Sequence, residues 1–466
     1  MKRLIILSLT LVLLAGCGVY RKYERSELPA ENLFLNSETQ DTATIATIPW
    51  QEFFTDTHLR ALIEQGLRQN TDFRVARLRV EAAEAVLRNA RLAYLPAISL
   101  NPEASVSQFD GSRAKSYNLA VAANWEIDLF GKVTNAKRGA RSALEQSRTY
   151  RQAVQTQLVA TIANSYYTLL MLDNQLAISR QTYESWTETE RTLEALKRAG
   201  QSNDAAVLQA RGSRLALEAS MLTLEKEIRN TENSICALLG MPLMPIERSA
   251  MAGQLFPDTL AVGIPVQLLA NRPDVRQAEH VLAEAFYATN TARAAFYPSI
   301  NLSGSAGWTN NNGGIVLNPG KWLLNAMGSL IQPLFNNGRN IANLKVAKAR
   351  QEEASLLFQQ SLLDAGKEVN DALIQWQIAH QRILIGVEQI AALQEAVRKT
   401  ELLMRHTSTN YLEVLIARQN LLEAQQIAAQ VQSPNQKIPD RKTKCVIKTH
   451  INIKQNVIFS AKLKPV

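Results

Sequence analysis

Two segments of the chain alternate apolar and polar residues with a period of two. In the first, every odd position from Tyr117 to Leu129 is apolar, and the even positions include Asn118, Asn124 and Asp128. In the second, 300–308, apolar or small residues occupy the even positions and polar or small residues the odd ones. This alternation predicts β-strands and is typical of transmembrane barrel strands, although a soluble sandwich strand alternates equally well.

Elsewhere the apolar residues recur at spacings of three and four, the pattern of helices. No proline interrupts 132–200 or 339–407, so each stretch of about 69 residues is predicted to form one helix about 100 Å long. Such helices exceed those of ordinary globular domains and need coiled-coil-like packing. The shorter predicted helices cover Thr57–Tyr94, Pro273–Tyr297, Asn203 to about Leu239, and the stretch from Asn410 onward.

The same series of residues occurs twice, at an offset that grows from 202 to 207 along the chain. Pro96 corresponds to Pro298 at the first offset, and Glu194 and Arg211 correspond to Glu401 and Arg418 at the second. We interpret this as a tandem repeat in which each copy reads helix, two strands, long helix and returning helix. Such periodicity points to a repeated structural unit.

The N-terminus has the pattern of an export signal. Lys2 and Arg3 precede an apolar run of about a dozen residues, which is too short to span a bilayer as a helix but fits a signal peptide. The run ends in Leu14-Ala15-Gly16-Cys17, which resembles the bacterial lipobox and predicts a covalent lipid such as palmitate on Cys17. The alternative is an ordinary signal peptide with an incidental cysteine.

These features divide the chain into six predicted parts. They are a lipoprotein signal peptide (1–17), an N-terminal extended segment (18–56), repeat one (57–240), a linker (241–264), repeat two (265–431) and an atypical basic tail (432–466). The tail is rich in lysine and interrupts the amphipathic pattern of the last helix, so we hypothesise a frameshift or altered reading there.

The net charge of +9 belongs to the ends of the chain. Residues 1–17 carry +2 and residues 431–466 carry +7, so the body sums to zero. A neutral body is a poor binder of phosphate backbones, so no nucleic-acid partner is expected. Three cysteines and five scattered histidines predict neither a disulfide scaffold nor a metal site. No catalytic motif is present, so we expect no enzyme and no cofactor other than the lipid.

The number of strands determines the expected architecture. Four strands per chain cannot close a barrel, for which about eight are needed, and an open sheet edge facing lipid is unfavourable. Three chains would supply twelve strands. The predicted fold is therefore mainly α with a transmembrane β-barrel: a trimeric twelve-stranded barrel, continued by a long periplasmic α-helical barrel.

The plan resembles the TolC family of outer-membrane channels, in its OprM-like lipoprotein branch. The residues that carry the resemblance over about 1–430 are 14–17, 269–275 with Ala278-Glu279, 297–300, 333–339 and 410–415. The resemblance implies a homotrimer in the outer membrane that works with a periplasmic membrane-fusion adaptor and an inner-membrane RND transporter of a multidrug efflux system. Its role would be that of a passive exit duct for small molecules.

The resemblance also implies a closable end where the helices turn back. Glu413 matches an acidic ring position of the family and Ile416 falls where a second acid is often found, so the ring is expected to be half acidic and half apolar. The alternative for Glu413 is a solvated charge on a helix face. The expected gate residues are Glu413, Ile416, Arg418 and Arg211.

The hairpin tips are the expected docking site of the adaptor. The candidate tip residues are Arg198, Gly200, Asn203, Val207, Leu208, Arg405, Asn410, Val414 and Leu415. Helix packing explains the four apolar members of this set equally well. Arg272 and Asp274 are expected to serve in packing and helix initiation rather than in ligand binding.

Two other functions remain open. One is a type I-like duct for secreted proteins, and the other is a periplasmic coiled-coil lipoprotein that does not span the membrane. The alternating strands favour a spanning duct, because a coiled-coil protein would need no lipid-facing face.

Overall fold

The computed structural model describes residues 22–24, 49–251, 272–309, 321–405 and 411–431. The signal peptide with Cys17, most of the extended segment, the turn at 310–314 and the basic tail lie outside the described residues. The elements, in chain order, are α1 (Trp50–Phe53), α2 (Thr57–Gln69), α3 (Thr71–Leu92), β1 (Ala97–Phe109), β2 (Ser112–Ile127), α4 (Lys132–Arg198), α5 (Asp204–Leu239), α6 (Pro273–Ala294), β3 (Ser299–Thr309), β4 (Lys321–Ile331), α7 (Arg339–Arg405) and α8 (Tyr411–Val431).

The chain forms two compact units. The first, which we call the sheet unit, contains Leu78–Thr149 and Arg276–Ser361 together with 22–24. The second, the helical unit, contains the remaining described residues. Both long helices pass from one unit into the other.

The four strands of the sheet unit form one antiparallel sheet in the order β1-β2-β3-β4. Leu100 lies opposite Val121, Trp125 opposite Leu302, and Trp308 opposite Trp322. β1 and β3 start, and β2 and β4 finish, at the same end of the sheet along the strand direction. The four flanking helices connect to the sheet at this end. The alternating apolar and polar residues of 117–129 and 300–308 therefore lie on opposite faces of their strands, as predicted.

The long helices begin where the sequence predicts. α4 and α7 start at Lys132 and Arg339, and each contains 67 residues. Asp128 stabilises the start of α4, because its carboxylate accepts hydrogen bonds from the backbone N–H groups of Val133 (3.0 Å) and Thr134 (2.7 Å). Among the described residues, no helix is both long enough and apolar enough to cross a membrane.

The single helix predicted over 57–94 is wrong, since the structure has two helices there. The break falls at Asn70, whose backbone is extended (ψ 129°). Its side-chain oxygen accepts a hydrogen bond from the N–H of Phe73 (2.9 Å), and its amide donates to the carbonyl of Leu238 (3.0 Å). Asn70 thus starts α3 as an N-cap and ties it to the end of α5. The periodicity of apolar residues continues through this break and gives no sign of it.

The core of the helical unit lies where α2, the middle of α4 and the end of α5 meet. Its buried side chains include Leu59, Ile63, Ile162, Leu169 and Leu239. The helices approach closely at Gly66, where a Cβ atom would lie 2.5 Å from Cδ1 of Ile162. A side chain at this position would force the buried Ile162 to shift, so glycine allows the close approach of the two helices.

A partly buried polar network fixes the segment after α5 to this core. Arg248 donates hydrogen bonds to Asp173 (2.5 Å) and to Glu232 (2.6 Å), and Glu232 is buried. The hydrogen bond to Asp173 raises the pKa of Arg248 despite the opposing effect of burial. Nearby, Tyr166 donates to Asp56 (2.7 Å) and accepts from the N–H of Ser249 (3.0 Å).

Candidate functional site

One face of the sheet is apolar across all four strands. Most of its large side chains are exposed, with Leu324 at 83%. The members of this face, taken from the strand register, include Ile98, Leu100, Leu119, Val121, Trp125, Ile300, Leu302, Trp308, Trp322, Leu324 and Leu330. A continuous apolar surface of this extent marks a membrane or protein interaction surface.

The opposite face is mostly polar or small. It carries Ser99, Asn101, Glu103, Ser105, Asn118, Asn124, Glu126, Asn301, Ser303, Ser305 and Asn325. Ser105 and Ser116 hydrogen bond across β1 and β2 at 2.7 Å. β4 departs most from this pattern, since its Leu323, Met327 and Ile331 fall on the polar face. The sheet therefore has one apolar face and one mostly polar face.

Both outer strands have a free edge. Within the part of the chain that the structure describes, β1 pairs only with β2, and β4 pairs only with β3. Unpaired strand edges expose backbone N–H and C=O groups, which readily pair with another strand. In the described part of the chain, both edges of the sheet are therefore open to pairing with a further strand.

Aromatic rings lie at both ends of the apolar face. Far from the helices, the rings of Trp308 and Trp322 pack with centroids 4.9 Å apart. At the helix end, Trp125 donates its indole N–H to the carbonyl of Tyr94 (2.9 Å). Leu119 lies opposite Trp308 and precedes Trp125 by six residues. The two aromatic ends are therefore about 20 Å apart along the strand direction. Aromatic residues at two levels with such a spacing resemble the girdles at the two interfaces of a membrane protein.

The hairpin between α4 and α5 has a tightly specified turn. Gly200 adopts a left-handed conformation (φ 72°), and Gln201 donates its N–H to the carbonyl of Leu196 (2.8 Å). Asn203 caps α5 by accepting a hydrogen bond from the N–H of Ala206 (2.9 Å). An ion pair between Lys197 and Asp204 links the two helices. The helix predicted to begin at Asn203 therefore starts there, with Asn203 as its N-cap.

The apolar residues predicted at the tips divide into buried and exposed members. Val207, Val414 and Leu415 are buried within the chain, whereas Leu208 is 63% exposed. Val207 and Leu415 belong to a cluster with Trp186, Leu193, Ala210, Leu217 and Leu422. Helix packing therefore describes the three buried residues, and Leu208 alone of the four is available to a partner.

The structure describes the side chains of some of the remaining predicted residues and not those of others. Arg198 is exposed and donates to the carbonyl of Glu194 (3.4 Å), and Arg211 is exposed on α5. Arg405 is the last residue of α7, but its side chain lies outside the described part of the chain, as do Asn410 and Cys17. Glu413 and Ile416 are both exposed near the start of α8.

Arg418 is the most connected of the predicted gate residues. Its guanidinium donates to Glu401 on α7 (2.6 Å), and to the hydroxyls of Ser185 (2.8 Å) and Thr189 (2.7 Å) on α4. One side chain thus joins α8 to two other helices. Burial raises the pKa of Tyr411, about two helical turns before Arg418.

The partners of Arg418 were not predicted as site residues. One signal for Glu401 was present in the sequence, because the repeat pairs Glu194 and Arg211 with Glu401 and Arg418 at the same offset. In the first hairpin a different arginine makes the bridge: Arg214 donates to Glu190 (2.6 Å) and Tyr183 (3.0 Å). Ser185 and Thr189 have no recognisable signal in the sequence. Over the described ranges, no group of three or more His, Cys, Asp or Glu side chains is arranged to hold a metal ion.

The family of the chain is clear from comparison with known proteins. The sequence profile of the family described as Outer membrane efflux protein matches residues 62–241 and 264–437. The chain belongs to this family, and the predicted class and location, an efflux protein of the outer membrane, are confirmed.

Individual relatives match along most of their length. The cation efflux system protein CusC of Escherichia coli is 29% identical over 422 residues, which cover 89% of this chain and 91% of CusC. The probable outer membrane lipoprotein SilC of Salmonella typhimurium is 29% identical over 427 residues, which cover 90% of this chain and 92% of SilC. A crystal structure of CusC has a TM-score of 0.81 at 25% identity, and the match covers 94% of this chain and 98% of that one.

Proposed function

We propose that this chain is the outer-membrane exit duct of a tripartite efflux pump, which passively conducts small molecules to the exterior. The observation that carries this proposal is the four-stranded sheet with one apolar face, one polar face and two free edges. A duct through a membrane needs such a sheet, because lipid must meet the apolar side and the conducted solute the polar side.

The free edges are the basis for a trimer. Pairing β1 of one chain with β4 of the next would satisfy the exposed backbone groups, and three chains would close a barrel of twelve strands. Eight strands are about the minimum for closure, so a single chain or a pair would leave little or no lumen. The long helices α4 and α7, which follow β2 and β4, would continue this barrel into the periplasm as a helical barrel.

The gate of the duct would lie near the start of α8. Exposed Glu413 and Ile416 would face the constriction, with Arg211 on the neighbouring returning helix. The hydrogen bonds of Arg418 to Glu401, Ser185 and Thr189 would hold α8 against α4 and α7 in the closed state. Opening would require these bonds to break, which makes Arg418 the latch of the gate.

The hairpin tips would dock the periplasmic adaptor, through which the inner-membrane transporter delivers its substrate. Exposed Leu208 and Arg198 offer an apolar and a cationic contact beside the turn at Gly200. Gly200 and Asn203 would shape the tip rather than contact the adaptor. Cargo would be selected by the pump, so the word cation in the name of CusC does not by itself fix the cargo here.

Cys17 would carry the lipid that anchors the mature chain to the outer membrane. Its lipobox-like context supports this, as does the name of SilC, a probable outer membrane lipoprotein. Together, the two repeats would give each subunit two equivalent sectors of the duct.

Crosslinking tests the trimer directly. Ser105→Cys on β1 and Asn325→Cys on β4 would place thiols on the polar face of the two edge strands, in a Cys445→Ser background. A short bismaleimide should convert the double variant to covalent trimers, while Ser105→Cys alone should remain monomeric on denaturing gels. The same protein should give stable conductance steps in planar bilayers. A water-soluble monomer with no conductance would contradict the proposal.

A further inference from the structure

The helical turns nearest the sheet carry an unusual charge. These are the last two turns of α3 and α6 (86–92 and 288–294) and the first two turns of α4 and α7 (132–138 and 339–345). They contain eight basic residues and no aspartate or glutamate. We call this set the basic collar: Arg88, Arg91, Lys132, Lys137, Arg138, Arg293, Arg339 and Lys345.

Among the described residues, ion pairs neutralise little of this charge. Glu126 at the end of β2 pairs with Lys132 (2.8 Å), and Asp128 is occupied in capping α4. Lys137 lies over the ring of Tyr94, 4.6 Å from its centroid. Arg88, Arg91, Arg339 and Lys345 are exposed. The collar therefore keeps a large positive excess that faces its surroundings.

The bias is confined to the sheet end of the long helices. At the opposite end of α4, residues 192–198 mix Glu194 with Lys197 and Arg198, and 399–405 of α7 include Glu401. General solubility would not restrict basic residues to one end of two helices. The position next to the sheet is thus the feature to be explained.

Two strongly exposed apolar side chains lie directly beside the collar. Leu334 and Phe335, between β4 and α7, are 94% and 83% exposed, and Phe296 and Tyr297 between α6 and β3 are also exposed. Apolar and aromatic side chains next to arginine and lysine are the composition of a surface that sits in a lipid headgroup region.

We propose that the basic collar binds the headgroup phosphates of anionic phospholipids in the periplasmic leaflet of the outer membrane. This inference rests on the proposed function, since it requires the apolar face of the sheet to lie in that membrane. Trp125 would mark the boundary of the hydrocarbon. The collar lies within the next two helical turns, a distance of about 10 Å, which is where lipid phosphates lie. Lysine and arginine near an anionic surface favour such lipids electrostatically. The collar would fix how deeply the duct sits.

The test measures lipid preference on the full-length protein in a non-ionic detergent. Native mass spectrometry would count bound dioleoyl phosphatidylglycerol and dioleoyl phosphatidylethanolamine, offered in equal amounts, with inorganic phosphate added as a competitor in a parallel arm. The collar variant combines Arg88→Gln, Arg91→Gln, Arg339→Gln and Lys345→Gln. The control variant removes the same charge from exposed positions of the helical unit: Arg191→Gln, Lys226→Gln, Lys367→Gln and Arg382→Gln.

The wild type and the control variant should prefer phosphatidylglycerol by at least about fivefold, and the collar variant should lose most of that preference. Displacement by an equal concentration of inorganic phosphate would overturn the assignment to lipid. So would the absence of a preference in a wild type that is trimeric and conducts, or an equal loss in the control variant. Trimers on unheated gels and conductance are recorded for every variant. A wild type that lacked both would overturn the proposed function itself.

Discussion

The guanidinium of Arg418 forks onto one carboxylate oxygen of Glu401, at 3.1 Å from Nε and 2.6 Å from Nη2. Its other nitrogen, Nη1, donates to Ser185 and Thr189 on α4. Since Arg418 lies on α8 and Glu401 on α7, the arginine holds three helices together. Both partners are partly exposed, and this connection is the one that we propose holds the gate closed.

Arg418→Ala is expected to shift the proposed gate toward its open state. The loss of a charged hydrogen-bond fork should cost the closed state about 1–2 kcal/mol, which changes the closed-to-open ratio by roughly five- to thirtyfold. Single-channel recording in planar bilayers measures this ratio as the fraction of time spent open.

Arg398→Ala is the matched control for this prediction. Arg398 lies on the same helix as Glu401 and pairs with Glu395, one turn away on the exposed surface. Because this ion pair lies within one helix, its removal should leave the open fraction unchanged. An equal response to both variants would show that Arg418 acts through general charge and not as a latch.

Gly66→Ala should destabilise the helical unit, although alanine is the better helix former. The added Cβ would meet Cδ1 of Ile162 at 2.5 Å and Cδ2 of Leu239 at 3.3 Å, and overpacking of this kind costs about 1–3 kcal/mol. Chemical unfolding followed by circular dichroism measures the loss.

Two further variants separate overpacking from other causes. Ile162→Val removes the offending methyl group, so the double variant with Gly66→Ala should recover part of the lost stability. Gly212→Ala on α5 introduces the same change where nothing lies within 4 Å of the new Cβ, and it should be neutral or stabilising. If the double variant were less stable than the sum of the single changes, the steric explanation would fail.

The sequence predicts the parts of this fold that depend on local pattern. Alternation at 117–129 gives the two faces of β2, and unbroken helical spacing gives the starts of α4 and α7. The predicted start at Asn203 likewise agrees with the start of α5. The bounds of β1 and β4 could not be obtained in this way, because Pro102 and Glu103 interrupt one strand and Leu323-Leu324 the other. Pairing with β2 and β3 is what places them in the sheet.

The contacts that hold the candidate site depend on tertiary structure. Arg248 reaches Asp173 across 75 positions and Arg418 reaches Ser185 across 233, and no local pattern connects residues so far apart. The repeat supplied one partial exception, because it pairs Arg418 with Arg211 and Glu401 with Glu194. The structure shows that the two copies nevertheless use different arginines for their bridges.

Asn70→Ala should lower the stability of the helical unit by about 1–2 kcal/mol. The substitution removes the N-cap of α3, worth about 1 kcal/mol, and leaves the carbonyl of Leu238 without the amide donor that the structure gives it. Asn89→Ala, at an exposed position in the same helix, is the control and should change stability by less than about 0.5 kcal/mol. Urea unfolding midpoints compare the two, and equal values would refute the capping role.

The stability of the helical unit should fall in alkaline solution because of two buried tyrosines. Burial raises the pKa of Tyr166, and its hydrogen bond to Asp56 raises it further; burial likewise raises the pKa of Tyr167. In the unfolded chain a tyrosine releases its proton near about pH 10. Above that pH the unfolded state gains the charged form while the folded state keeps the neutral one, so the free energy of unfolding decreases as the pH rises. Below it, both states are neutral and the full contribution is present.

The Tyr166→Phe/Tyr167→Phe variant separates this effect from other titrations. At about pH 8 it should be less stable than the wild type, since the hydroxyl of Tyr166 no longer bonds to Asp56 and Ser249, a loss of about 1–2 kcal/mol. Between about pH 8 and pH 11, its urea midpoint should fall less steeply than that of the wild type, because phenylalanine releases no proton. Parallel slopes in the two proteins would assign the alkaline loss to other groups and would contradict the role of these tyrosines.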